Sequence, residues 1–280
     1  MAVKSLLMHL GEAGASDKEI KAAVDLTGRF QAHLIGLYIA PEPVFPAYLM
    51  GQMPHGAIES QETFLKENAE QAIDAFTKAC ERAGVSFETR EARAFVEDIP
   101  GVIGQHGRYA DMMVLSQYNS EAPTAGGAAV LENTVLTCGA PALVVPYIGA
   151  PESYGRRIMV AWDGSREAAR AVKDAMPFLT GAGEVTVLCV DPRKDTAAPS
   201  HEPGADIAHF LARHGVKAEA KHVTSGDMGA GDTILSRMAD EGTDMLVMGA
   251  YGHSRLSELV LGGVTRTILE HMTVPVLMSH

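Results

Sequence analysis

The chain has 280 residues, 46% of them hydrophobic and 21% charged, with a formal net charge of −12. That length holds one large or two ordinary domains, each able to bury a core, and a mean hydropathy of +0.03 is that of a globular protein. The acidic balance excludes general binding to nucleic acid or to anionic membranes, and no apolar run approaches the roughly 20 residues that cross a bilayer. A local anion site built from main-chain N–H groups remains open.

Cys80, Cys138 and Cys189 are odd in number and widely spaced, so they make neither a disulfide frame nor a metal knuckle. They read as reduced, buried thiols of a cytoplasmic protein. The first twenty residues carry a Lys and a short apolar stretch in the manner of a weak signal peptide. They run straight into a helix start, however, and read as a first strand.

In chain order, 3–10 is an apolar strand. Ser16 with Glu19 three residues on has capping-box spacing and opens a helix; 33–40 is the next strand. The loop "PEPVFPAYLMGQMPHG" then precedes a long helix over 58–83, ending at Gly84. That helix either packs on its own sheet or covers another domain, a subunit or an apolar pocket. In "ADMMVLSQYNSE" (110–121) an Asp precedes a buried strand and a Tyr-containing loop. "AVLENTVLTCGAPALVVP" (129–146) adds a short helix and a Pro-led strand, and "YIGAPESYG" (147–155) reads as a linker. The second half predicts strand 156–162, helix 164–180, strand 184–190, helix 203–214, strand 216–224, helix 230–241, strand 244–249, helix 263–272 and strand 274–279.

The halves repeat one plan: "TDMLVMGAYGHS" (243–254) and "GVTRTILEHMTVPVLMS" (263–279) answer 110–121 and 129–146. A period near half the chain means duplicated domains, over 1–148 and 154–280. The strands are continuous apolar runs, as in parallel sheets covered on both faces. Alternation of strand and helix predicts an α/β protein of two tandem doubly wound, Rossmann-like parallel sheets, five strands in each.

In such sheets ligands bind beyond the carboxyl ends of strands, at the point where strand order reverses. Met248 and Gly249 end a strand there. Gly249, lacking Cβ, would let another molecule approach, and Gly252 would permit positive φ for the turn away. Gly262 and Gly263 precede a helix whose first N–H groups have no internal partner and favour phosphate. A loop with glycines only for turning and packing is the alternative.

The spacing Gly249-x2-Gly252-x9-Gly262, after an apolar strand and before a helix, closely resembles the ATP-binding signature of the universal stress protein family. "RRIMVAWDGSREAARAV" (156–172) is similar to that family's opening strand, Asp turn and first helix, and the two-half layout resembles its tandem members. The resemblance implies an adenine nucleotide-binding fold of the adenine nucleotide alpha hydrolase type. It implies Asp163 on the ribose hydroxyls, Ala161 and the Val190 backbone beside the adenine, and Met248, Gly249 and Gly252 as the floor. Gly262, Gly263 and Val264 would offer N–H groups to the phosphates. The implied ligand is ATP, with ADP or AMP as alternatives and Mg²⁺ as the accompanying ion. Asp163 read by itself serves hydroxyls, caps the helix after it, or does both. The family usually has Ser or Thr where this chain has Gly263, so Thr265 either reaches in from the helix or only caps it. His253 and Arg255 either add charge near the phosphates or are solvated.

The first half looks emptied. Ser116 and Asn119 replace the first two glycines, Gly126-Gly127 is displaced, and Glu12 is out of register with Asp163. One nucleotide site per chain is expected. No G-x-S-x-G elbow or Walker A sequence is present, and His201, His209, His214 and His222 read as surface residues rather than metal ligands. The reading is a nucleotide-binding regulatory protein of the stress response with at most slow hydrolysis. The alternatives are a weak ATPase and a structural dimer without ligand. The final strand would pair across a two-fold axis as in family dimers, or the two halves would satisfy that contact within the chain.

Overall fold

The computed structural model describes residues 2–11, 15–42, 56–122, 124, 126–148, 153–192, 202–251 and 263–280. By its contacts the chain divides into two compact units, Val3–Ala140 and Pro141–His280, the latter with the first two residues.

The amino-terminal unit runs β1 (Ser5–His9), α1 (Asp17–Phe30), β2 (His33–Pro41), α2 (Ala57–Ala83), β3 (Ser86–Ala94), a 3-10 turn (Val96–Asp98), α3 (Ile99–Gly107), β4 (Met112–Ser116) and α4 (Ala128–Thr137). Its parallel strands lie in the order β3-β2-β1-β4. The capping box forms as its spacing predicts. Glu19 N–H donates to Ser16 Oγ at 3.3 Å and Ser16 N–H to Glu19 Oε2 at 2.7 Å. Ser16→Ala is therefore expected to cost about 1 kcal/mol of the unit's stability, read as a lower urea midpoint at unchanged slope. The long helix α2 stops at Gly84, whose φ of 65° suits a residue without Cβ. Ala69, Ala72, Phe76 and Cys80 are buried at helical spacing, and Phe76 meets Phe87 of β3 edge-on, so the carboxyl half of α2 packs on its own sheet.

The carboxy-terminal unit runs β5 (Ala142–Val145), β6 (Arg157–Ala161), α5 (Arg166–Asp174), α6 (Met176–Leu179), β7 (Glu184–Val190), α7 (Ala205–Arg213), β8 (Ala218–Val223), α8 (Ala230–Asp240), β9 (Met245–Gly249), α9 (Gly263–His271) and β10 (Val276–Ser279). Strand order is β5-β10-β9-β6-β7-β8. The five strands expected of this half are parallel to one another, and β5 adds a sixth, antiparallel to β10. The fifth Pro-led strand of the first half is thus counted with the second unit, which leaves four in the first. The single helix expected over 164–180 is two, α5 and α6, separated at Ala175 just before Pro177, which has no N–H to donate.

The Asp repeated before the fourth strand of each half has a structural task. Asp111 Oδ2 accepts from the N–H groups of Lys4 and Ser5, at 2.7 and 2.9 Å. Asp244 Oδ1 accepts from Gly155, Arg156 and Arg157, at 2.8, 3.0 and 3.1 Å. Asp111 thus ties β1 to β4, and Asp244 ties β6 to β9. All three cysteines are buried, and burial pushes the Cys80 thiol up to about 11.

At the end of β1, burial pushes the His9 imidazole down from 6.5 to about 4. The unfolded chain therefore binds a proton in this interval that the folded unit refuses. The stability this provides is complete above about pH 6.5 and is lost as pH falls towards 4. Unfolding of the wild type is expected to lose about 2 kcal/mol more between pH 7 and 4.5 than that of His9→Asn, measured by denaturant titration at each pH.

Candidate functional site

In the carboxy-terminal unit β6 has β7 and β8 on one side and β9 and β10 on the other, so strand order reverses between β6 and β9. Ala161 pairs with Met248 across that boundary, and the crevice beyond their carboxyl ends is where this architecture receives ligands.

Asp163 lies exposed just past the end of β6, and its Oδ1 accepts from the Ser165 N–H at 2.9 Å. The cap of α5 belongs to another residue. Ser165 is its N-cap and accepts from Ala168 N–H at 3.1 Å, so of the two tasks open to Asp163 the side-chain cap is taken. Its charge reaches the end of the next strand. Burial, and after it the Asp163 carboxylate, push the Cys189 thiol up to about 11.

Gly249 needs a correction. A Cβ there would lie 2.5 Å from the Ala168 nitrogen and 2.6 Å from the Glu167 carbonyl carbon. The missing side chain makes room for the protein's own first turn of α5, not for a second molecule on that face. Buried Glu167 fills the same contact. Tyr251 has a φ of 62°. Tyr251 N–H donates to Thr265 Oγ1 at 3.3 Å. Thr265 is buried, and its hydroxyl ties the strand-end loop to the first turn of α9. Gly263 begins α9 exposed, and among the described residues no atom lies within 4 Å of where its Cβ would be. Val264 follows half-buried. Gly252, His253, Arg255 and Gly262 lie outside the described residues.

Val190, half-buried, ends β7. Main-chain groups of alternate strand residues point to alternate neighbours. Leu188 C=O accepts from Trp162 N–H at 2.9 Å on the β6 side, and Asp191 N–H donates to Val223 C=O at 2.9 Å on the β8 side. The N–H and C=O of Val190 therefore face the β6 side, past the end of that strand and towards the crevice.

The equivalent end of the amino-terminal unit is built differently. His9 ends β1 and Ser116 ends β4. A Cβ on Gly126 would meet Val130 Cγ2 at 2.5 Å and Val96 Cγ1 at 3.0 Å, and the Tyr118 ring lies 3.8 Å from that of Gly127. Side chains surround the displaced glycine pair, whereas among the described residues no atom comes within 4 Å of the Gly263 Cβ position. Glu12 lies outside the described residues.

A cavity of about 540 Å³ opens at the opposite edge of the carboxy-terminal sheet, among the first residues of β6, β7 and β8. Most of its charges are paired. Lys221 pairs with Glu241 at 3.2 Å and Glu219 at 3.7 Å, Arg157 with Glu184 at 3.6 Å, and the Thr186 hydroxyl donates to Glu241 at 3.0 Å. It lies away from every residue of the crevice.

Comparison with known proteins agrees with the crevice's half of the chain. The model of the universal stress protein family matches residues 155–280. Universal stress protein Slr1230 of Synechocystis is 27% identical over 173 residues, which cover 60% of this chain and 57% of that protein's length. Among solved structures, a universal stress protein from Archaeoglobus fulgidus is similar over 98% of this chain and 95% of its own, at 18% identity and a TM-score of 0.69. A functionally unknown Pseudomonas aeruginosa protein is similar over 99% of this chain and 92% of its own, at 16% identity and a TM-score of 0.59. These two likenesses are of fold, and they extend through both units. The carboxy-terminal unit, with its Asp turn and its strand-end glycines, belongs to the universal stress protein family.

Proposed function

We propose that the carboxy-terminal domain, taken as 154–280, binds one adenine nucleotide in the crevice between β6 and β9. The domain of 1–148 keeps the fold without the site. The reading is carried by one juxtaposition at a single end of the sheet: the exposed Asp163 carboxylate, the Val190 main chain facing past β6, and the start of α9 at the exposed Gly263. Asp163 would accept from the ribose hydroxyls, with Ala161 and Met248 beneath the base. The N–H groups of Gly263 and Val264 would meet the phosphates, helped by the dipole of α9. Gly262 would extend that cradle, with Gly252 in the floor and His253 and Arg255 near the phosphates. ATP fits this arrangement, as do ADP and AMP, since the cradle is built mainly of main-chain donors; Mg²⁺ would accompany a triphosphate.

Occupancy, rather than turnover, is the proposed output: the protein acts as a regulatory binding module of the stress response. Among the described crevice residues no carboxylate or imidazole stands at the start of α9 to act as a general base. β10 pairs with β9 on one side and with β5 of the same chain on the other. That pairing supports the internal alternative for the final strand over a two-fold contact between copies. Purified protein, denatured and chromatographed, is expected to release an adenine nucleotide. Absence of any nucleotide from that extract, together with no uptake on adding ATP, would leave the structural-dimer alternative.

A further inference from the structure

Next to Val190 the chain does something unusual. Asp191 has a φ of 46°, left-handed backbone that few residues other than glycine adopt. Its carboxylate is held across 34 residues of sequence by Ser225: Oδ1 accepts from the Ser225 N–H at 3.0 Å, and Oδ2 accepts from the Ser225 hydroxyl. Asp191 N–H adds the bond to Val223 that prolongs the β7–β8 ladder. Three bonds thus fasten a surface turn that packing alone would leave loose, since Asp191 itself is exposed. The Ser225 bonds also hold the Asp191 carboxyl below the usual carboxylate range, so the acceptor is ionised at neutral pH. The turn borders the Val190 main chain.

We propose that Asp191 and Ser225 form a latch that fixes the Val190 N–H and C=O as a rigid reading edge, making the crevice selective for adenine over guanine. This rests on the nucleotide-binding reading above. The Watson–Crick edge of adenine presents an amino donor at N6 beside an acceptor at N1. A fixed C=O beside a fixed N–H matches that pair. Guanine presents the reverse, an O6 acceptor beside an N1–H donor, and would set acceptor against acceptor and donor against donor. A loose turn could rotate the Val190–Asp191 peptide to suit guanine; a latched one cannot. Discrimination of this kind is large only where the protein's polar groups cannot rearrange. Asp191 and Ser225 are positioning residues, since they act through the Val190 main chain.

The test is the ratio of ATP to GTP affinity, measured by calorimetry on the full chain for the wild type, Ser225→Ala, Asp191→Gly and Asp191→Asn. Glycine keeps the left-handed turn but loses the latch; asparagine keeps an oxygen for the Ser225 N–H. The ratio is expected to fall about tenfold in Asp191→Gly, the loss of roughly one discriminating hydrogen bond. It is expected to fall less in Ser225→Ala, which keeps the residue-225 N–H on Asp191 Oδ1, and to be largely retained in Asp191→Asn. Circular dichroism confirms folding, and Ser225→Ala, which weakens the latch without touching the left-handed turn, remains decisive if Asp191→Gly does not fold. An unchanged ratio in folded Asp191→Gly, or in Ser225→Ala should the glycine variant not fold, with the wild type binding ATP, overturns the latch alone. A wild type that binds ATP and GTP equally well does the same. A wild type that binds neither nucleotide overturns the nucleotide reading and the latch with it.

Discussion

Alanine at position 249 is expected to lower the stability of the carboxy-terminal unit by about 3 kcal/mol, the upper range for overpacking a close contact. The added Cβ would fall 2.5 Å from a main-chain nitrogen and 2.6 Å from a main-chain carbon of α5. Neither is the tip of a flexible side chain, so relief requires moving the first turn of the helix off β9. That turn carries the Ser165 cap and ends the loop of Asp163, so displacement also spoils the crevice. Urea unfolding of Gly249→Ala should show a much lower midpoint for this unit. Valine should be worse still. A loss below about 1 kcal/mol, the range of ordinary surface changes, would mean that α5 does not approach β9 this closely. A bulky residue at 249 is consequently a poor binding-site control, because a lost ligand and a lost fold would look alike.

Asp163→Ala separates the two. The residue is exposed, and the helix it precedes is capped by Ser165. Its removal frees the Ser165 N–H to solvent and is expected to change stability by only about 0.5 kcal/mol. In the proposed complex the same carboxylate accepts from ribose hydroxyls. Hydrogen bonds to a charged group contribute about 1.5–3 kcal/mol each, so ATP affinity should drop by roughly 10- to 100-fold. Asp163→Asn, which keeps an acceptor of similar shape, should recover part of that loss. Titration calorimetry beside thermal unfolding reads both quantities. Unchanged affinity in a stable Asp163→Ala protein would remove the ribose role.

Much of the architecture was legible because it is written in main-chain logic. The continuous apolar runs of β1, β4, β6 and β9 announced parallel strands, Ser16 with Glu19 announced the start of α1, and Gly84 announced the end of α2. β3 and α3 were not foreshadowed. β3 is a half-exposed strand, "SFETREARA", whose charges hide any alternation. The break between α5 and α6 had a visible cause in Pro177 that helical periodicity on either side masked. In the candidate site the residues were found but one reason was not. The sequence pattern marks Gly249 as a place without a side chain, and cannot tell whether ligand or helix fills the space, because the α5 backbone that fills it lies some 80 residues away by the numbering. The Asp191–Ser225 contact was equally invisible. Both are common loop residues, and only the pairing of β7 with β8 brings them together.

Hydrogen exchange with and without ATP, followed amide by amide on the full chain, tests the location of the site most directly. Slowed exchange is predicted at Val190 and at Val264 and Thr265 of α9, with no change at the ends of β1 and β4 around His9 and Ser116. Protection confined to the amino-terminal unit, or identical exchange everywhere at saturating ATP, would contradict it.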